Sequence, residues 1–429
     1  MRKSFLRLPS GLMVSRVEPS SFGCCPRLRV SCILLVCSLL FTGCESKVKN
    51  GVKREYYPSG ELQFEVTYLA DKRNGPVKEY YTMGELKAES LYQNDFKEGA
   101  FKEYQRNGKL KREGVYQADK LEGEMKTYSD RGTVLTVMRY VSDVPEGLYQ
   151  EYYENGNIKA RGNYVGGKKQ GEFVEYYIGS GRVRLTMGYV DDRLHGNRIE
   201  YYEDGQLKRT EGYKDGKLDG IAKESYEDGI LKILEGYVQG ERQGVYKEFI
   251  REGRMVVFWN YDRGKKHGMS IEYFEDGTPR LEQNYREGKL EGVSKEYYRN
   301  GRFKKREFYI SGMRGATTKT FDVNGFLQGM GTYRYDKLHG KSVLYYPSSN
   351  QVFLEAQLAD EKLDGVSTEY FEDGKIHKVI CYKNDQKDGI SLIYNRKGKV
   401  ETEINYKEGQ VVSRKQFDTD GKLINETNF

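Results

Sequence analysis

The run Val293-Ser-Lys-Glu-Tyr-Tyr-Arg-Asn-Gly-Arg-Phe-Lys-Lys-Arg-Glu-Phe-Tyr309 decides how the chain is read. Two segments mixing aromatic and charged residues flank Asn300-Gly301. Glycine takes the positive φ that a tight turn demands, and Asn before it is a common turn residue. The segment therefore reads as a β-hairpin. Similar pairs stand at Asn107-Gly108, Asp204-Gly205, Asp276-Gly277 and Asp373-Gly374.

Outward from this hairpin the turn glycine recurs every 24 residues, at Gly60, Gly84, Gly108, Gly132 and Gly156. After single insertions it resumes from Gly181 to Gly325; Asn350 holds the next place, and Gly374, Gly398 and Gly421 follow, which makes sixteen units. A second glycine comes about 15 residues after most of the first ones (Gly75 through Gly389), and eight residues after the first stands an aromatic, from Tyr68 to Phe429, with Leu358 the exception. Self-similarity at this period means an array of small equivalent units.

Register follows from the same positions. An aromatic usually sits four residues before the turn glycine (Tyr56, Tyr80, Tyr104, Tyr201, Tyr297), and an aliphatic or Phe two after it (Leu62, Leu86, Leu110, Leu207, Phe303). A three-residue loop with glycine as its left-handed residue sets these two side by side, whereas a two-residue turn separates them. Strict alternation then puts the later tyrosine (Tyr68) on that face too, together with Lys102, Lys126 and Lys295, whose stems must snorkel at the rim. The Lys or Arg three residues after the glycine (Lys87, Lys111, Lys159, Lys208) marks the opposite, solvated face. The expected fold is all-β: an elongated single-layer antiparallel array of hairpins, on the order of 150 Å long at two strands per unit.

Composition supports a repeat without a deep core. Among 429 residues only 37% are hydrophobic, yet 13% are aromatic, with 37 Tyr and 49 Gly. The 4 His and the lack of a nucleophile motif argue against an enzyme, and no cofactor is implied. His195, His267 and His339 occupy equivalent places three units apart, too far to share a metal, and His377 replaces a surface Lys. Asp418-Thr-Asp420-Gly421 lacks the first ligand of a calcium loop, and Gly179-Ser180-Gly181 lacks the spacing of a nucleophile elbow.

Residues 30–42 form an apolar run after Arg27 and Arg29, too short for a spanning helix and suited to a secretory signal. Its end, Phe41-Thr42-Gly43-Cys44, resembles the lipobox of bacterial lipoproteins, with Phe41 where Leu is usual. That resemblance implies cleavage before Cys44, lipidation of Cys44, and a membrane-anchored place in the bacterial cell envelope; either Met1 or Met13 fits as the start. The expected organisation is a signal peptide at 1–43, a tether at 44–50 and the array at 51–429. Without residues 1–43 the chain loses six basic residues and one acidic residue, leaving 65 and 63, a balance of +2 in place of +7. Nothing then favours nucleic acid, which needs a concentrated cationic footprint.

Tyr213-Lys-Asp-Gly-Lys-Leu-Asp-Gly220 and Tyr335-Asp-Lys-Leu-His-Gly340 resemble MORN repeats, and the longer Glu-Tyr-Tyr-x-x-Gly-x-Leu-Lys form is similar to the bacterial variant of the YwqK-type antitoxin family. The resemblance covers about residues 51–429 and implies an interaction module, in the bacterial variant with a toxin-neutralising role. Candidate partner sites are the breaks in the repeat: Val256 and Phe258, Leu135 and Val137, and Phe353, apolar where other units carry charge. Trp259 has the parity of the packed face. The primary expectation is a lipid-anchored scaffold for an unknown protein partner, a toxin among the candidates. The alternative is a glycan- or lipid-binding module that uses the second tyrosine of each pair (Tyr57, Tyr81, Tyr153, Tyr202, Tyr298).

Overall fold

A computed structural model describes residues 48–429; the apolar run, the lipobox and Cys44 lie outside the described residues. Lys49–Phe429 forms one unit, an open antiparallel sheet in which strands adjacent in sequence are adjacent in space. Among the described residues no helix is long and apolar enough to cross a membrane.

Each of the sixteen repeats is a hairpin, as in Gly292–Tyr297 and Phe303–Ile310 around Gly301. The aromatic and the aliphatic stand opposite each other as the sequence implies: Tyr297 faces Phe303, Tyr80 faces Leu86 and Tyr201 faces Leu207. The loop has three residues. Tyr298 N–H donates to the Arg302 carbonyl at 2.8 Å, Gly301 N–H donates to the Tyr298 carbonyl at 2.9 Å, and Gly301 has φ +80°. The loops after Tyr177 and Tyr346 carry one more residue, and in the latter Ser348, not Asn350, takes positive φ.

A β-bulge overturns the expected face assignment. In unit after unit the register shifts directly behind the loop, so that Glu79 pairs with Ala88 while Tyr80 pairs with Leu86, and Lys87 is the extra residue. One inserted residue reverses the alternation that follows it. Tyr56 and Leu62 therefore lie on one face with Glu65, while Tyr68 lies on the other with Phe64 and Val66. Lys102, Lys126 and Lys295 do share the face of Tyr104 and its equivalents, but that face is the open one. The bulged residue, three after the turn glycine, does not mark the face opposite the packed one. It sits beside the Glu of the packed face, as in the Lys87–Glu79, Lys208–Glu200 and Lys304–Glu296 pairs at 2.6, 2.8 and 2.7 Å.

Units are joined by two-residue turns in which both residues have positive φ, from Ala70-Asp71 (51° and 66°) to Glu408-Gly409 (51° and 84°). These are type I′ turns, whose twist matches that of paired strands. The second glycine serves a different purpose. Between Tyr68↔Arg73 and Val66↔Val77 the later strand gains two residues, and Gly75 at φ +112° sits in that bulge, where a Cβ would meet the Thr67 side chain at 3.3 Å.

Packing runs mostly on the Tyr68 face. Val66, Phe101, Met138, Phe173, Leu185, Ala222 and Ala356 are buried there, with Val174 and Val343 buried on the other. In one row of this face the large side chains Phe101, Tyr149, Phe173 and Tyr246 give way to Ser270, Ser294, Thr318, Ser367 and Ser391 in later units. Among the described residues no side-chain hydrogen bond or ion pair joins positions more than 26 apart, so each hairpin is stabilised by its neighbours.

Candidate protein-binding face

Several recurrent polar groups at the loops and turns hold adjacent units together. The second tyrosine of each pair donates its hydroxyl to a backbone carbonyl of the next hairpin: Tyr57 to Tyr80 at 2.7 Å, Tyr202 to Ser225 at 2.8 Å and Tyr298 to Phe321 at 3.0 Å. Eight units share this contact, each contributing about 1 kcal/mol on the usual scale.

Two carboxylate positions tie the turns. Asp at the second turn residue accepts a backbone N–H of the preceding unit, as Asp95 does from Arg73 at 2.8 Å and Asp336 from Arg314 at 2.9 Å. The Arg73 N–H, and then its guanidinium, hold the Asp95 carboxyl below its ordinary range. The residue before the second glycine accepts from the first turn residue of the next unit, as Glu98 does from Ala118 and Glu291 from Ser311, both at 2.8 Å. His339 fills that position, its Nδ1 accepting the Asp360 N–H at 3.3 Å. His195 in the same place lies 3.6 Å from Asp215. Among the described residues no His, Cys, Asp or Glu group is arranged to hold a metal ion.

The tyrosines of the packed face are covered by cations from the neighbouring strand: Arg73 over Tyr92 at 4.3 Å, Lys97 over Tyr116 at 4.7 Å and Arg314 over Tyr333 at 4.3 Å. Trp259 stacks on Tyr246 at 5.2 Å under Lys266, 3.6 Å above its ring, and burial pushes the Lys266 ammonium below its ordinary pKa. Arg209 gathers Glu211, Glu224 and Glu235 at 2.7, 2.8 and 3.2 Å; burial opposes its charge, and these carboxylates outweigh that and raise its pKa. On the same face the buried Ser270, Thr318 and Ser391 hydroxyls have no hydrogen-bond partner among the described residues.

The open face differs. The residue directly after the second glycine points there, and in most units it is apolar and exposed: Leu148 (55%), Ile221 (52%), Met269 (49%), Val366 (47%) and Ile390 (51%). Leu91, Val115 and Phe308 extend the same row on the partner strands. Sequence reasoning missed this row, although the pairing of each second glycine with a following apolar residue is visible there.

The bulge separates residues that the sequence puts together. Phe258 lies on the open face opposite Lys247, and Val137 likewise opposite Lys126. Val256, Leu135 and Phe353 occupy the bulge position on the packed face, with Phe353 5.2 Å from the Tyr346 ring. All five are half-buried.

This architecture defines a MORN-type hairpin array. Eight segments match the MORN repeat variant family: residues 49–70, 73–94, 97–118, 145–165, 194–215, 266–287, 363–384 and 387–408. The chain thus carries MORN repeat variant repeats along its length. No curated protein matches it. Among solved structures, the TcdB2-TccC3 crystal structure shares 12% identity over 89% of this chain and 25% of that one, with a TM-score of 0.15. The Photorhabdus luminescens Tc holotoxin pore carrying a TccC3 mutation shares 11% over 84% and 23%, with a TM-score of 0.14. The chain spans about a quarter of the length of those chains, and superpositions this loose carry no functional weight.

Proposed function

We propose that this protein is a non-enzymatic scaffold that binds another protein through the open face of its sheet, anchored in the bacterial cell envelope by lipid on Cys44. One observation carries the reading: recurrent tyrosine and carboxylate groups at the loops and turns bond from unit to unit, while the open face repeats exposed apolar side chains. Exposed apolar clusters on a surface otherwise faced with charge are candidate interaction sites. The tyrosines considered for glycan stacking already have their hydroxyls bonded to backbone, which counts against that reading.

Photo-crosslinking from position 258 in living cells tests the scaffold. Crosslinks should be lost when Met269 is replaced by Lys, and a probe at position 256 on the other face should capture nothing; equal capture from both faces would reject it. Mass spectrometry of the N-terminal peptide tests the anchor, which requires a diacylglycerol-sized addition on Cys44. The finer reading, that the partner is a toxin which the array neutralises, rests on the YwqK-type resemblance. It requires that the partner caught at Phe258 arrest growth when expressed alone and not when expressed with this chain.

A further inference from the structure

Along the middle of the open face one row of side chains crosses the sheet, each opposite its neighbour on the next strand. In the first units this row alternates in charge: Arg54, Glu65, Lys78, Glu89, Lys102, Glu113. Opposed charges of this kind stabilise a pair of strands, and like charges directly opposite destabilise it. The alternation ends at Lys126, past which the row runs through Val137, Gln150, Arg161 and Val174, and from Lys223 to Lys319 it becomes cationic. Lys223 and Lys247 flank Leu234, and Lys247 also faces Phe258, where the first three units carry Glu65, Glu89 and Glu113. Further on, Arg306 lies between Lys295 and Lys319, so three cations are adjacent. Over these nine strand positions the row holds five cations and one carboxylate, Glu282, which pairs with Lys295 at 2.9 Å. Among the described residues Lys223, Lys247, Arg306 and Lys319 make no ion pair; the Lys247 ammonium rests 5.9 Å from the Phe258 ring. Beside this row runs the exposed apolar one: Ile221, Met269, Val293 and Phe308.

We propose that this part of the open face binds an acidic amphipathic helix of the partner protein, an inference that rests on the scaffold reading. Its carboxylates take the places that Glu65, Glu89 and Glu113 hold earlier in the row, and its apolar side chains cover Ile221, Met269 and Val293. The spacing fits. Lys223 and Lys247, and again Lys295 and Lys319, stand on alternate strands about 9.6 Å apart, and a seven-residue helical repeat advances about 10.5 Å; Phe258, Ile271 and Glu282 separate the two pairs. The stretch from Lys223 to Lys319 spans roughly 38 Å, which a helix of about 25 residues covers. The apolar row beside the cations distinguishes such a ligand from a purely polyanionic one, which would leave Met269 and Val293 uncovered.

The test uses the purified full-length protein and two synthetic 28-residue helical peptides, both with Leu at heptad core positions. One carries Glu on the flanking positions and the other Lys. Fluorescence anisotropy should show the Glu peptide binding at least tenfold more tightly, with an affinity that falls as salt is raised. The triple variant K223E/K247E/R306E should reverse the preference, while K78E/K102E in the alternating region leaves it unchanged. Should the reversed triple variant misfold, as judged by hydrogen exchange, the neutral K223Q/K247Q/R306Q should lower Glu-peptide affinity without favouring the Lys peptide. Equal binding of both peptides, indifference to charge reversal, or tighter binding of phosphatidylglycerol vesicles than of the Glu peptide would each overturn the proposal. If these occur while position 258 still crosslinks a protein in cells, the scaffold reading stands and the acidic helix falls.

Discussion

Replacing Phe173 by Ala tests whether the array is held together locally. Phe173 is 5% exposed; its ring packs edge-on against Tyr164 and Tyr189 at 5.6 and 5.1 Å and lies over Gly162 on the neighbouring hairpin. Removing a buried Phe costs about 4 kcal/mol, near the upper part of the usual range here because Gly162 has no side chain to fill the hole. The reverse change is informative too. A Cβ on Gly162 would sit 2.2 Å from the Phe173 ring, so Gly162→Ala should cost about 2 kcal/mol through overpacking. Once the ring is gone the added methyl fits, and the double variant should be no less stable than Phe173→Ala alone, a coupling of about 2 kcal/mol. Hydrogen exchange read by mass spectrometry provides the assay. Amides in Ile158–Val165 and Gly171–Tyr176 should exchange roughly a thousandfold faster in Phe173→Ala, while those in Lys337–Tyr345 stay unchanged. Uniform acceleration along the chain, or additive costs in the double variant, would refute nearest-neighbour stabilisation.

Three further outcomes follow from particular contacts. Arg209→Met removes one of two arginine partners from the buried Glu211 and Glu235, which keep Arg198 and Arg242, and should cost about 2 kcal/mol at neutral pH, below the cost of a fully stranded charge. Ala316 has φ +150° where neighbouring repeats place glycine, so Ala316→Gly should raise stability by about 1 kcal/mol in a denaturant titration. The Tyr104 and Tyr128 hydroxyls, burial first and then Glu89 and Glu113 acting on them, are pushed up to about 12. An unfolded tyrosine ionises near 10, so folding stability from this source is complete below about pH 10 and is lost as pH rises through about 12. Alkaline titration of tyrosinate absorbance should show this late ionisation, with Glu89→Gln moving Tyr104 downward.

The repeat, the hairpins and the closing pair of each loop were legible in the sequence because they depend on local chemistry. Asn300-Gly301 can make only a few turns, and placing Tyr297 beside Phe303 selects the three-residue loop among them. The faces were not legible. Alternation locates a buried face only when the strand is uninterrupted, and a bulged residue such as Lys87 has the composition of any surface Lys. With both faces half-solvated, hydrophobicity gives no second signal to reveal the reversal, and alternation alone puts Val256 and Phe258 together although the sheet parts them.

The amino-acid order alone thus determined an array of sixteen hairpins, since a period of 24 residues and its turn glycines act within a few residues of each other. Tertiary structure decided what each repeated group does. The Tyr57 hydroxyl meets a carbonyl 23 positions away, Asp95 an amide 22 positions away, and the cationic stretch from Lys223 to Lys319 becomes a row only when nine strand segments are in register. Such contacts depend on where the bulges fall, and a bulge is a property of two strands together.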